Sequence, residues 1–171
     1  MLVPIPEAVT LIELFREREQ RFALAESCTC GMAAALIGQV PGASEVFCGS
    51  AVTYRESAKT DWLGVDAADL RQFTAESREA TDAMATGVLE ATSEAHWGAA
   101  ITGHLGPGAP IKSDGRVFVS IARRGADPGG TLVATDECVL QSMDRIDRQK
   151  EAAEYFIRWI FKTARAAEDR V

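Results

Sequence analysis

Histidine is nearly absent from this 171-residue chain, with His96 and His104 the only two. That scarcity argues against metal catalysis, because no His, Asp and Glu cluster falls at ligand spacing, and no metal is expected. It also leaves a Ser-His-Asp triad with His104 as its base and no third group placed by spacing. His96, at a strand start, reads as a partly buried structural residue. Lysine is almost as rare, at 59, 112, 150 and 162. The four cysteines, at 28, 30, 48 and 138, have neither the density of a disulfide scaffold nor the paired spacing of a zinc site. Reduced thiols in a cytoplasmic protein fit them best. No apolar run approaches the roughly 18 residues of a membrane span. No basic segment precedes a hydrophobic core at the amino terminus, so neither a secretory signal nor a membrane partner is expected. Positive charge is short as well. A net charge of −7 argues against a nucleic-acid partner, so any phosphate must be held by a few placed groups.

What is present is an ordinary globular composition, 47% apolar and 25% charged, at a length suited to one domain over residues 1–171. An amphipathic helix is expected over 6–19, with Val9, Ile12 and Phe15 on one face. A strand at 21–26 leads into a helix near 29–38, and a second strand spans 46–54. Helices near 55–63, 67–72 and 77–92 follow; Gly64 stops the first, and Met84, Val88 and Leu89 point inward on the third. Strands at 97–102, 116–123 and 131–141 come next, the last two joined by a turn containing Pro128-Gly129-Gly130. A closing helix at 145–168 buries Ala152, Phe156, Trp159 and Ile160. Strands alternate with helices early and follow one another later. The fold class expected is α/β, a single three-layer α/β/α domain with a mixed, largely parallel sheet. Ligands on such sheets bind beyond the carboxyl ends of strands, so the loops at 26–31, 54–59 and 102–115 are expected to meet on one edge.

The stretch Ala25-Glu26-Ser27-Cys28-Thr29-Cys30-Gly31 lies where the first strand ends and a helix begins. Unpaired N–H groups at a helix start can hold an anion or a developing oxyanion, and a nucleophile there has that help built in. Equally, Ser27 or Thr29 can simply cap the helix. A serine is also activated by a lysine kept neutral by burial or nearby cations. Lys59 follows the second strand in Thr53-Tyr54-Arg55-Glu56-Ser57-Ala58-Lys59, with the Tyr54 hydroxyl and the Arg55 charge nearby. By itself it reads as an exposed helix lysine. Arg145, Arg148 and Lys150, diluted by Asp144, Asp147 and Glu151, read as solvated helix surface.

Taken in order, the first motif, Pro41-Gly42-Ala43-Ser44, Gly49 to Tyr54, Ala58-Lys59, Leu63-Gly64-Val65, Thr102-Gly103-x-x-Gly106-Pro107-Gly108 and Lys112-x-x-Gly115 resemble the CinA carboxy-terminal domain family, from about residue 7 to 163. Members include nicotinamide-nucleotide amidases, which hydrolyse the carboxamide of nicotinamide mononucleotide to nicotinate mononucleotide and ammonia. The resemblance implies Ser27 as nucleophile, Lys59 as base and Tyr54 as their assistant. It implies backbone donors for an oxyanion around Thr29 to Gly31, and substrate contacts from Glu26, Thr29, Cys30, Gly31, Thr102, Gly103 and Gly106. Glycines 103 and 106 would let the backbone approach the substrate, and Glu26 is otherwise a buried structural carboxylate or a group that helps orient Lys59. Lys112 and either Arg145 or Arg148 are the implied phosphate partners. No cofactor is implied; the partners are a pyridine mononucleotide and, as family members tend to pair, a second copy in a homodimer or larger homo-oligomer. Larger members carry an amino-terminal pyrophosphatase-like domain, whose activity is not expected of this sequence.

The chain departs from the family pattern at several points. Cys30 stands where a glycine is usual, the loop after Gly106-Pro107 is about two residues shorter, and Lys112-Ser113-Asp114-Gly115 replaces Lys-Pro-Val-Gly. Asp114 places a negative charge near an anionic substrate. Gln72-Phe73-Thr74-Ala75-Glu76 replaces a common Gly-Ala-Val-Ser run. These differences keep three alternatives open: the same machinery on another small amide, a non-catalytic nucleotide-binding relative, and a cysteine hydrolase using Cys28 or Cys30 with His104.

Overall fold

Residues 4–125 and 130–168 are described by the computed structural model, Glu168 by its backbone alone. Five strands, β1 (Phe22–Glu26), β2 (Phe47–Val52), β3 (Trp97–Gly103), β4 (Arg116–Arg123) and β5 (Thr131–Val139), form one sheet in the order β2-β1-β3-β4-β5. β2 and β3 pair in parallel with β1, while β4 runs antiparallel to both β3 and β5. Four strands therefore share one direction and β4 alone is reversed, the mixed, largely parallel sheet expected. Of the turn expected at 128–130, Pro128 and Gly129 lie outside the described residues. Among the described residues, no helix is long and apolar enough to cross a membrane.

The helices are α1 (Pro6–Glu17), α2 (Met32–Gly38), α3 (Glu56–Leu63), α4 (Ala67–Phe73), α5 (Arg78–Ala91) and α6 (Arg145–Glu168). Local chemistry explains most of their ends. Pro6 opens α1, where its missing N–H costs nothing. Asp66 and Ser77 side chains accept from the amides of Ala68 and Ala80 and so cap α4 and α5. Gly64 closes α3 with φ +67°. Helix α2 is the exception. It starts at Met32 rather than near 29, because Cys30 and Gly31 take φ values of +51° and +90°.

Strand alternation gives the two sheet faces different characters. One face presents Phe22, Leu24, Trp97, Ile101, Val119 and Ile121 to α1, α2 and α6. Each such buried side chain contributes about 1.5–3 kcal/mol. The expected stripe of α6 is buried in full, as are Met84, Val88 and Leu89 of α5. On α1 the buried residues are Ala8, Leu11, Ile12 and Phe15, so Val9 lies at the margin of the stripe. His96 is exposed, contrary to expectation, with Nδ1 accepting the Arg21 amide at 2.9 Å.

The second face is paved with Ala23, Ala25, Ala100 and Ala122 under α5, flanked by Leu63 and Leu70. Small residues here let α5 sit close to the sheet. A Cβ on Gly98 would lie 2.5 Å from the Ala85 carbonyl oxygen and 2.7 Å from Leu89 Cβ. The chain leaves β1 to one side to form β2, then crosses to β3 on the other side, which opens a crevice beyond their carboxyl ends. Gly98→Ala is expected to push α5 off β3 and lower stability by about 1–3 kcal/mol, read as a lower urea midpoint.

Candidate active site

Ser27 is the first residue beyond β1, held in register by donation of its amide to the Ile101 carbonyl at 3.1 Å. Lys59 comes from the second turn of α3, and its side chain runs back beneath the end of β2. Its Nζ donates to Ser27 Oγ at 2.9 Å and to the Thr53 carbonyl at 2.7 Å. The lysine is 1% exposed and the serine 5%. Burial lowers the Lys59 pKa from its ordinary value of 10.5, against the opposing charges of Glu76, Cys28 and Glu56. Lys59 is therefore not an exposed helix lysine. Nor does its shift come from Arg55, which is exposed. A neutral amine anchored on the Thr53 carbonyl can turn its lone pair to the Ser27 hydroxyl and act as its base.

The turn between Ser27 and α2 is organised by Glu26, which is fully buried. Its Oε2 accepts the amides of Gly31 at 3.0 Å and Ala33 at 3.1 Å. Its Oε1 accepts the Ala34 amide and the Ser50 hydroxyl, both at 2.9 Å. The anion expected at this helix start is thus the protein's own carboxylate. Glu26 is accordingly corrected from substrate contact to structural ligand of α2. The expected oxyanion donors change with it: the Gly31 amide serves Glu26, and the Cys30 amide serves the Ser27 carbonyl at 3.1 Å. The Cys28 and Thr29 amides favour the charged form of the Cys28 thiol, against the larger effect of its burial.

Beside Ser27 lies a cleft of about 310 Å³ lined from four loops and the start of α6, including Cys28, Tyr54, Glu76, Gly103, His104, Gly106, Pro107 and Arg145. The meeting of loops expected on one edge is what the structure shows. Tyr54 does not bond Ser27 or Lys59; its hydroxyl accepts from Arg145 Nη2 at 2.9 Å. Arg145 also donates through Nη1 to the Gly106 carbonyl, so two loops fix its guanidinium at the cleft wall.

The remaining expected contacts lie elsewhere, each for a definite reason. Thr102 is fully buried on the α5 face of β3, hydroxyl to hydroxyl with Thr81 at 2.7 Å. Thr29 is buried with its Oγ1 unpartnered, while its carbonyl accepts from Gln149 Nε2 at 3.0 Å. Cys30 is exposed and off the cleft wall, and Gly31 serves as the N-cap position of α2. Lys112 is exposed on the far part of its loop. Arg148, read from sequence as surface or as a phosphate ligand, is 7% exposed and committed. It clasps both Asp114 oxygens, at 2.8 and 3.0 Å, and donates to the carbonyls of Ser142 and Leu105. That clasp holds Asp114 as a carboxylate below its ordinary range and cancels the negative charge that looked out of place. Gly103 is a glycine because of β4: a Cβ there would lie 2.5 Å from the Arg116 carbonyl oxygen.

Cys28 reaches the cleft, but burial pushes its thiol pKa up to about 12. With Cys30 outside the cleft, a thiolate nucleophile has no support. Sequence reasoning missed Glu76, whose only signal was its place in a segment departing from the family pattern. It also missed the Thr53 carbonyl, which no sequence pattern marks.

Fold and site together define a three-layer α/β domain with a buried Ser-Lys pair at the carboxyl edge of its parallel strands. Comparison with known proteins narrows this. The profile of the CinA C-terminal domain matches residues 6–164, and the chain belongs to that family. It is 41% identical over 120 residues to a CinA-like protein of Myxococcus xanthus, a match covering 69% of this chain and 28% of that protein. A CinA-like protein of Synechocystis is 39% identical over 138 residues, 80% of this chain and 31% of its own length. The chain thus matches less than a third of either relative. Among solved structures, a competence/damage inducible protein from Agrobacterium tumefaciens superposes with a TM-score of 0.85 at 26% identity, covering 96% of this chain and 99% of that one.

Glu26→Ala leaves three helix-start amides without their acceptor. It is expected to lower stability by about 3–5 kcal/mol in urea denaturation.

Proposed function

We propose that this domain is a serine amidohydrolase that removes ammonia from the carboxamide of nicotinamide mononucleotide. The observation that carries the reading is the buried contact of Lys59 Nζ with Ser27 Oγ at 2.9 Å, opening on a cleft with a fixed arginine. In the first step Ser27 Oγ attacks the amide carbon as the neutral Lys59 amine takes the hydroxyl proton. The Cys28 and Thr29 amides are the proposed donors to the oxyanion that forms, because among the described residues no oxygen accepts from them, whereas the Cys30 and Gly31 amides are taken. Collapse of the adduct expels the amine with the proton held by Lys59, giving ammonia and an acylated Ser27. Water then attacks the ester, Lys59 takes one of its protons, and that proton returns to Ser27 Oγ as the product leaves as a carboxylic acid, which ionises in solution. Arg145, held by Tyr54 and Gly106, is the proposed partner of the phosphate, and Tyr54 acts through it.

The reading as a non-catalytic relative rested on Cys30 and on the altered loops; Cys30 lies outside the cleft, while the loop after Gly106 lines it. The shortened loop keeps a different small amide as the second reading, because Gly106, Pro107 and Gly108 form much of the cleft wall.

Ammonia release from nicotinamide mononucleotide tests the proposal. Ser27→Ala and Lys59→Ala are each expected to lower kcat by at least about 10³-fold while circular dichroism stays unchanged. Turnover unaffected by Ser27→Ala would sink the mechanism. Turnover of other carboxamides, with none of this one, would favour the second reading.

The pH profile follows from Lys59. Only the neutral amine is a base, so kcat is expected to rise with pH along an acid limb set by a lysine below its ordinary value of 10.5. The Glu76 carboxylate favours the charged amine. Glu76→Gln is therefore expected to move that limb to lower pH.

A further inference from the structure

We propose that Glu76 is a recognition group selecting amides carried on a positively charged ring, with Arg145 holding the anionic end of the same molecule. The proposal rests on the amidase reading and assigns the residue that would recognise the charged ring of its substrate. Glu76 and Arg145 line the same small cleft as Ser27, yet among the described residues they make no ion pair with each other. Opposite charges in one partly enclosed cleft attract, and a cleft that keeps them apart presents a positive and a negative pole to whatever enters. The Arg145 pole is fixed by Tyr54 and Gly106.

The Glu76 pole has no comparable internal task. Its side chain is 32% exposed, and its ion-pair contact among the described residues is His104 Nε2 at 3.9 Å, beyond hydrogen-bond reach. The start of α5 is already capped by Ser77 and carries Glu79 in its first turn, so Glu76 is not needed there. Its charge also works against the reaction by favouring protonated Lys59. A carboxylate that hinders the base yet faces the nucleophile is explained by a cation in the substrate. A quaternised pyridine ring bearing the carboxamide supplies that cation next to the scissile bond, and its phosphate supplies the anion for Arg145.

The test measures binding in the full chain with Ser27→Ala, so that no ligand is consumed. Nicotinamide mononucleotide is compared with its 1,4-dihydro form, which keeps the amide, ribose and phosphate but has a neutral ring. Glu76→Gln is expected to raise Kd for the charged ring about 5-fold in calorimetric titration, and for the neutral ring by less than about 2-fold. Glu76→Asp, which keeps the charge, retains the preference. Equal weakening of both ligands, or of neither, overturns the proposal. If neither mononucleotide binds, the substrate of the amidase reading is wrong, and the charge question passes to 1-methylnicotinamide against nicotinamide by saturation-transfer NMR. A preference for the methylated cation that Glu76→Gln abolishes upholds the role of Glu76, and no preference overturns it.

Discussion

The Glu26 carboxylate is the contact on which this site depends. Buried at the end of β1, it gathers three amides from the start of α2 and a hydroxyl from β2 onto two oxygen atoms. A lone buried carboxylate is costly, but this one faces the positive end of a helix and spends its lone pairs on four donors. Because it claims Gly31, Ala33 and Ala34, residues 27–30 are left outside the helix as a separate turn. That turn presents the Ser27 hydroxyl to Lys59 and packs Cys28 and Thr29 beneath it. Cys30, at φ +51°, stands in backbone geometry that favours glycine, which accounts for the family's preference there without reference to substrate.

Around that anchor the charges are sorted by burial. Lys59 is the cation deepest in the site, and it is the one whose charge burial disfavours. Arg148, which cannot give up its proton, is buried only because Asp114 and two carbonyls receive it. The clasp of Arg148 on Asp114 shapes the glycine- and proline-rich loop from behind, while Arg145 ties its front to Tyr54. One helix, α6, thus carries one arginine that builds the loop and another that faces the cleft. The matched family and the Agrobacterium superposition agree with this architecture, and the substrate chemistry is where the proposals go beyond them.

Much of this was legible in the residues. Helix boundaries followed caps, Gly64 and apolar spacing, and strand directions followed from the alternation of strands with helices. Ser27 and Lys59 were visible through motifs in fixed order, although Lys59 alone was indistinguishable from a surface lysine. Its burial depends on a carbonyl at Thr53 and on β2 lying beside β1, neither of which has a local signature. Thr102 and Gly103 show the same limit at finer scale. Adjacent in one motif, they point to opposite faces of β3, and only Gly103 reaches the cleft.

What the sequence by itself determined was the set of elements and the layered α/β class, with Ser27 and Lys59 singled out by the order of the motifs that contain them. Periodicity, capping and motif order are local, and local chemistry is enough to specify them. The tertiary structure alone decided which charges are spent inside the protein and which face the cleft. Arg148 meets Asp114 across 34 positions and Arg145 meets Tyr54 across 91, so their fates depend on partners that only folding brings within reach. Glu76 shows the reverse outcome, a carboxylate beside Ser27 that has no hydrogen-bonding partner among the described residues. Electrostatic roles are set by neighbours in space, and the order of residues along the chain does not contain them.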